Sequence, residues 1–461
     1  MPFRLKAWLV LAGLLVGPGL DAPGASPGAN ATAISFHQQV VPILRTHCMG
    51  CHKPGKLKGK LDLTTFASLV KGGKKGSSLA PGEPARSRLV TMISGDTPDM
   101  PEDDDPLHAD EVELIRRWVE QGAKDDTPDP ALKKIETPVY TLPPVVPSIA
   151  FSPDGKTLAV AGYHEVLLHK ADGSGIVARL VGAAPRIESI VFSADGKQLG
   201  VCGGSPGEFG HVQIWDVARA KLGKSYRLSY DSLFGLSFAP DGKTVAFGGA
   251  DKVVRRINID DGKELLTFKA HADWVLGTVF TVDGKKLVSG GRDKALKLID
   301  LATERFEDDV NNHLEQVISL DRHPAKDIVA YGGGLGTPRI YRISVNLKRT
   351  AARNDTNLVR AFERQPAAVH AIAFSRDGNR LAVGSVGETR IYDANNGKRL
   401  LSLAGQEGPV YALDWGEGDR VVATAGYDGP VRLFDAGTGK LIRSFIPVPI
   451  QKPVASAGAD R

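Results

Sequence analysis

The chain has 461 residues, with 58 Lys and Arg against 53 Asp and Glu, and a formal net charge of +5. So small a surplus gives no expectation of a nucleic-acid partner. Its 3 cysteines are Cys48, Cys51 and a distant Cys202, so the second closely spaced ligand pair that a zinc site wants is missing.

Arg4 and Lys6 precede an apolar run from Ala7 to Val16, which Gly17, Pro18 and Gly19 break, and a Pro/Gly/Ala stretch ends in Ala31-Thr32-Ala33. These are the parts of a secretory signal peptide, expected over residues 1–33, with cleavage near Ala25 as the alternative. The run is too short to span a bilayer, and no later stretch is long and apolar enough to do so. The mature chain is therefore expected outside the cytoplasm, in the periplasm or an equivalent compartment, without a membrane span.

Residues 34–126 read as a small all-α domain. Val40, Val41, Ile43 and Leu44 give an apolar face running into Cys48, with Pro42 bending or shortening that helix. Thr64 or Thr65 caps a short helix bearing Phe66, Leu69 and Val70, which Gly72-Gly73 ends. Pro84 suits the first turn of a third helix carrying Leu89, Val90 and Ile93. In the last helix Val112, Ile115 and Val119 recur at helical spacing, acidic residues crowd the start, and Gly122 follows the end.

Cys48-Met49-Gly50-Cys51-His52 carries the chemistry. Cys-x-x-Cys-His is the attachment signature of a c-type haem: two thiols three positions apart each form a thioether with a vinyl group, and the following histidine ligates the iron. A thioredoxin-like dithiol would want a strand before the motif, where a helical pattern stands instead. One covalent haem c is expected, on Cys48 and Cys51, with His52 as proximal ligand. For the opposite side of the iron, Met100 in Thr97-Pro98-Asp99-Met100-Pro101 is the first candidate, since the prolines hold an extended loop. Met92 falls in a helical pattern and reads as core, while His108, His37, His47 or an open position remain as alternatives. A domain of this size has little core of its own, and a covalent apolar macrocycle would enlarge it. Charge is segregated across it. Residues 45–88 hold ten Lys or Arg against two Asp or Glu, and residues 96–126 hold three against twelve. Such a field can orient an acidic redox partner, or be no more than a solvated surface.

From Phe36 to Ala123 this region resembles the planctomycete-type cytochrome c domain. The resemblance lies in Val41-Pro42-Ile43-Leu44, the Cys48 to His52 motif, Gly59, Leu61 and Leu63, Gly72-Gly73, Pro81-Gly82-Glu83-Pro84 with Ser87 and Leu89, Met100-Pro101, and Trp118-Val119-Glu120-Gln121-Gly122-Ala123. It implies Cys48 and Cys51 as haem attachments, His52 as proximal ligand and Met100 as distal ligand. Glu102 departs from the second proline frequent in that family.

Residues 127–144, with Pro128, Pro130, Pro138, Pro143 and Pro144, read as a semi-stiff linker. From 145 to 449 the chain repeats itself. The turn Asp154-Gly155-Lys156 recurs at Asp195, Asp241 and Asp283, and as Asp377-Gly378 without the lysine, at intervals of 41, 46, 42 and 94, the last being two periods. Each turn leads into an apolar strand ending in small residues, such as Leu158 to Gly162 or Leu287 to Gly291. A four-stranded unit of this period resembles the WD-repeat family, with His271, His313 and the one intact pair Trp215-Asp216 as further marks. The resemblance implies an all-β propeller of seven blades after the all-α domain, a tail at 450–461, and structural ties for His271, Ser289 and Asp293. Cys202 is expected to pack in a strand.

No hydrolase triad, phosphate-binding glycine loop or acidic metal cluster stands out, so the expectation is an electron-transfer protein more than an enzyme, with no catalytic residue. On that expectation one haem would pass electrons to a redox partner protein, with the propeller as a scaffold on which proteins dock. The alternatives are an oxidoreductase with a second cofactor in the propeller, by analogy with nitrite reductases that join the same two parts, and a haem-based sensor, which needs an open or labile distal position.

Overall fold

The computed structural model describes residues 33–53, 56–102, 104–127, 136–182, 184–343 and 355–451. The expected signal peptide up to residue 32, the centre of the Pro-rich linker and the tail from residue 452 lie outside them. The described residues gather into two compact units: 33–43 with 79–126, and 44–78 with those from 127 onward.

The first unit is helical. Ser35 opens it: its hydroxyl accepts from the Gln38 N–H at 2.9 Å, and a π-turn over Phe36–Val40 leads into α1, Val41–His47. Pro42 falls in the first turn of α1, where an amide hydrogen is not needed. A second helix, α2, spans Phe66–Lys71 in the other unit, and α3 spans Arg88–Ile93 with Leu89, Val90 and Ile93 buried. Pro84 does not open α3 as its position suggests. It starts a separate 3-10 turn, Pro84–Arg86, and Ser87 is extended between the two. The Ser87 hydroxyl is spent on Ala80, accepting from its N–H at 2.8 Å and donating to its carbonyl at 3.0 Å, which locks the interruption. The last helix, α4, spans Ala109–Glu120 and buries Ile115, Trp118 and Val119. Asp110 and Glu111 sit in its first turn, where they complement the helix dipole. Phe36 stacks on Trp118 with ring centroids 5.1 Å apart.

The second unit is mostly β. Five four-stranded antiparallel sheets follow one another over 149–181, 186–229, 233–268, 275–309 and 317–361, each a meander of consecutive strands. A seven-stranded sheet covers 371–445. It is two such meanders sharing one long strand, Arg399–Gly416: the start of that strand pairs with Val386–Asp393 and its end with Val421–Gly426. Four-stranded meanders of this kind are consistent with the WD propeller blades expected from the repeats.

Buried apolar clusters lie between neighbouring sheets. Ala159 and Leu168 of the first meet Ile190 and Trp215 of the second. Val212 and Cys202 of the second meet Val245 and Phe247 of the third. At the far end Ala412, Val421 and Leu433 pack on Ile149, Phe151 and Leu158 of the first sheet. Because both faces are covered, strands such as Val245 to Gly249 are buried at every position instead of alternating. Cys202 packs as expected. It is buried, its thiol 3.6 Å from the Leu233 carbonyl, and burial pushes its pKa up.

The repeated aspartates are turn-formers. Asp154, Asp195 and Asp283 each accept at Oδ1 from a hydroxyl two residues back (Ser152, Ser193, Thr281) and from the amide of the lysine two residues on, at 2.6 to 3.1 Å. The glycine that follows has φ near +70°, which a side chain would strain. His271 also takes its expected place: Nδ1 lies 2.9 Å from Asp293 Oδ2 and Nε2 2.8 Å from Ser289 Oγ, all within the fourth sheet and its entry. Burial opposes the Asp293 carboxylate, yet the His271 bond and backbone amides hold its pKa below the usual range. His313 makes no such tie. It reaches Asp309 at 3.4 Å, and in the fifth sheet the buried Glu315 does the tying instead, accepting from the Leu335 N–H and pairing with Arg339.

Two carboxylates on entry strands cross between sheets. Asp414 Oδ2 accepts from the Phe151 N–H at 2.6 Å, and Asp321 Oδ2 from the Phe374 N–H at 2.7 Å. Burial pushes both pKa values up to about 6. A carboxyl raised in the folded state contributes stability that is complete below its unfolded pKa and lost as pH rises through about 6. Asp414→Asn keeps an acceptor for Phe151 without the charge. The expected outcome is stabilisation by about 1–3 kcal/mol at pH ~8 that vanishes at pH ~4, read from thermal unfolding at both. An equal effect at the two pH values would refute the account.

Candidate haem site

The site starts at the end of α1. The amides of Cys48 and Met49 both bond to the Leu44 carbonyl at 2.9 Å, and the chain then closes a further turn, with Cys51 N–H at 3.1 Å and His52 N–H at 3.0 Å from the Cys48 carbonyl. A three-residue separation within a helical turn sets two side chains on one side, so Cys48 and Cys51, both half-buried, suit two attachment points on one planar group.

His52 then leaves the turn in a short hairpin absent from the all-α reading, in which His52–Lys53 pairs with Lys56–Leu57. The next loop wraps around this residue. Leu63 N–H donates to the His52 carbonyl at 3.0 Å, and the His52 Nδ1–H donates to the Lys58 carbonyl at 3.0 Å. That second bond fixes the tautomer: the proton is on Nδ1, and Nε2 keeps the lone pair that a metal ligand needs.

The Lys58 carbonyl was not legible from residue types, because a backbone acceptor has no letter. The glycines behind it were a usable signal. Thr65 caps α2, its hydroxyl 3.1 Å from the Ser68 N–H, while Thr64 bonds to Asp62. Gly72-Gly73 ends α2 and also admits the His52 loop. A Cβ on Gly73 would stand 2.5 Å from the Gly59 carbonyl, and one on Gly72, at φ +73°, would stand 1.9 Å from that of Gly76. The Gly59 carbonyl meanwhile accepts from the Lys74 N–H at 2.7 Å.

Met100 stands in the other compact unit, half-buried on the loop after α3, where its N–H donates to the Met92 carbonyl at 2.9 Å. Met92 is half-buried within α3 itself, His108 precedes α4, His47 closes α1, and His37 lies in the π-turn. Cys48, Cys51 and His52 are thus brought into one turn, and Met100 belongs to a separate element.

Among the described residues no group of three or more His, Cys, Asp or Glu side chains converges as an all-protein metal centre requires. A c-type haem makes no such demand, since its two thiols bond to carbon and only the histidine reaches the iron. The turn, with one imidazole nitrogen engaged and the other available, fits that group.

Residues 48–104 match the family model described as Planctomycete cytochrome C. Residues 262–300 match the WD domain, G-beta repeat, and residues 323–418 the WD40 domain of anaphase-promoting complex subunit 4. The chain joins a planctomycete-type cytochrome c domain to WD repeats. The cytochrome match contains the Cys48 to His52 turn and Met100, and the first WD match contains His271, Ser289 and Asp293. No curated protein matches the chain.

Proposed function

We propose that this protein is an exported, single-haem cytochrome c that passes electrons, with a seven-bladed propeller as a scaffold for protein docking. The observation that carries the reading is the His52 ring, held through Nδ1 by the Lys58 carbonyl directly after two cysteines in one helical turn. The Cys48 and Cys51 thiols would hold the group as thioethers, each adding across one vinyl group with its own hydrogen and needing no oxidant. His52 Nε2 and Met100 are the residues that would hold the iron; such a His/Met pair would raise the reduction potential and suit electron transfer. The seven-bladed count is supported by five separate meanders, two more sharing a strand, and the packing of the last meander on the first. Export is supported by the composition of residues 1–33.

The test is the spectrum of the exported holoprotein, oxidised and reduced, with a pyridine haemochrome assay and carbon monoxide added to the reduced form. One covalent low-spin haem that ignores carbon monoxide is expected. Carbon monoxide binding, or more than one haem, would transfer the reading to a sensor or to an oxidoreductase with a second cofactor. Met100→Ala is expected to abolish the thioether-to-iron charge-transfer band and leave haem covalently attached; a persisting band would move the ligand to Met92.

A further inference from the structure

Two side chains that flank the Cys48 to His52 turn reach the sheets of the same compact unit. Arg45, in the last turn of α1 and ahead of Cys48, pairs with Glu208, Nη1 to Oε1 at 3.0 Å. Lys53, the residue after His52, holds its ammonium over the Tyr230 ring, 5.0 Å from the centroid. Both partners belong to the second sheet and the loop that leaves it, and that edge is built out. The hairpin of Gln198–Ser205 with Phe209–Asp216 has strands of 8 residues each, where the matching strands of the third and fourth sheets have 6 and 5. Its tip is fixed from behind. Glu208 Oε2 accepts from the Ser205 hydroxyl at 2.7 Å, the Glu208 carbonyl accepts from Arg227 at 2.7 Å, and the Gly207 N–H donates to Asp231 Oδ1 at 3.2 Å. The Ser229 hydroxyl donates to Asp251 Oδ2 at 3.0 Å, and that carboxylate is itself held in a buried pair with Arg255. Tyr230 stands between Ser229 and Asp231, so both its neighbours are tied down. Burial, with Asp251 and Asp231 nearby, pushes the Tyr230 pKa up to about 12, so the ring that meets Lys53 is neutral.

We infer that this edge of the second sheet is part of the haem site, with Glu208 and Tyr230 as positioning residues for the turn that carries His52. The inference rests on the haem reading above, and gives the β-rich part a task inside its own chain besides the docking of other proteins. Each contact alone is weak, since an exposed ion pair and a cation over a half-buried ring hold little. Their placement multiplies their effect. One fixes the helix end whose Leu44 carbonyl takes the Cys48 amide, and the other fixes the first strand of the His52 hairpin. With both in place the turn has no free end. In that hairpin Lys53 pairs with Lys56 and His52 with Leu57, and the Lys58 carbonyl that holds the His52 Nδ1–H follows directly. Release of Lys53 therefore loosens that hydrogen bond and leaves the imidazole a poorer donor at Nε2, which favours the ferrous state and raises the reduction potential.

The experiment follows amide hydrogen exchange over residues 44–63 of the full-length holoprotein by mass spectrometry, with redox titration of the same samples. Glu208→Gln/Tyr230→Leu is expected to speed exchange in that segment about tenfold and to leave the fourth sheet unchanged. Tyr230→Leu alone, which changes no charge, should raise the reduction potential, whereas Tyr230→Phe, which keeps the ring, should match wild type in both readings. Because a substitution at Tyr230 also touches the sheet, the contact is tested from its other side as well. Lys53→Gln should speed exchange as much as Tyr230→Leu, and the two together no more than either. Equal exchange in Glu208→Gln/Tyr230→Leu and wild type would overturn the seat, as would additive effects of Lys53→Gln and Tyr230→Leu. Faster exchange with an unmoved potential in Tyr230→Leu would overturn the positioning of His52. Exchange needs no iron, so a preparation without covalent haem that still shows the non-additive pair would fail the function proposed above and leave the seat standing.

Discussion

Replacing Cys48 and Cys51 together by alanine is expected to leave protein from which all haem is extracted by acid acetone, whereas the wild type retains one per chain. On the proposed reading the effect is all-or-none, because thioethers would be the only covalent attachment and His52 alone would hold haem by an exchangeable bond. The single variants should each keep haem through one thioether, with a haemochrome maximum displaced by the remaining vinyl group. Unchanged covalent haem in the double variant would end the cytochrome reading, whatever became of its stability.

Glu165→Ala is expected to destabilise the β-rich unit by about 3 kcal/mol, the low end for breaking a buried ion pair because Arg179 keeps some access to water. The Glu165 side chain is fully buried and takes three donors: Tyr140 Oη at 2.8 Å, and Arg179 Nε and Nη2 at 2.7 and 2.6 Å. Burial and this carboxylate hold the Tyr140 hydroxyl in its protonated, donating form. Arg179 reaches on to the Pro138 carbonyl at 2.8 Å. Removing the carboxylate strands an arginine and frees Tyr140 at once. Urea unfolding followed by tryptophan fluorescence measures the change; Glu165→Gln, which keeps one acceptor, should lose about half as much. A midpoint unmoved by Glu165→Ala would mean that water replaces the carboxylate without cost.

What residue types announce directly was readable in advance. Cys48, Cys51 and His52 stand at a spacing that haem attachment would dictate, which the structure folds into one turn, and the Asp-Gly-Lys turns act through a carboxylate and a positive φ, so both left marks in the sequence. Backbone acceptors left none, which is why the Lys58 carbonyl and the hairpin at His52 were missed. The polar ties of the β-rich part were half legible. His271 with Ser289 and Asp293 is written in side chains that recur in such repeats, whereas Glu165 with Arg179, Asp251 with Arg255, and Gln406 with Thr424 do comparable work with residues that have no fixed place in the pattern. Pro84 misled for a similar reason: proline marks where a turn begins, and only the Ser87 bonds to Ala80 decide that it is not α3.

Each meander is made from one unbroken stretch of chain, and none waits for a strand supplied from the other end. The parts can therefore form in the order in which they are synthesised, through contacts close in sequence, and such contacts are quick to find. Only the seam must wait. It is made of the Phe151 amide on Asp414, the Ala412 and Val421 packing on Ile149, and the bridge where Tyr140 lies beside Ile450 and accepts from the Gln451 N–H at 2.8 Å. A nascent chain that stops before Ala412 would carry the first five sheets and still be open along that line, with the apolar face of its first sheet uncovered. A stop codon within the last meander, before Ala412 and Asp414 are made, should therefore be far more damaging than the five complete sheets ahead of it suggest.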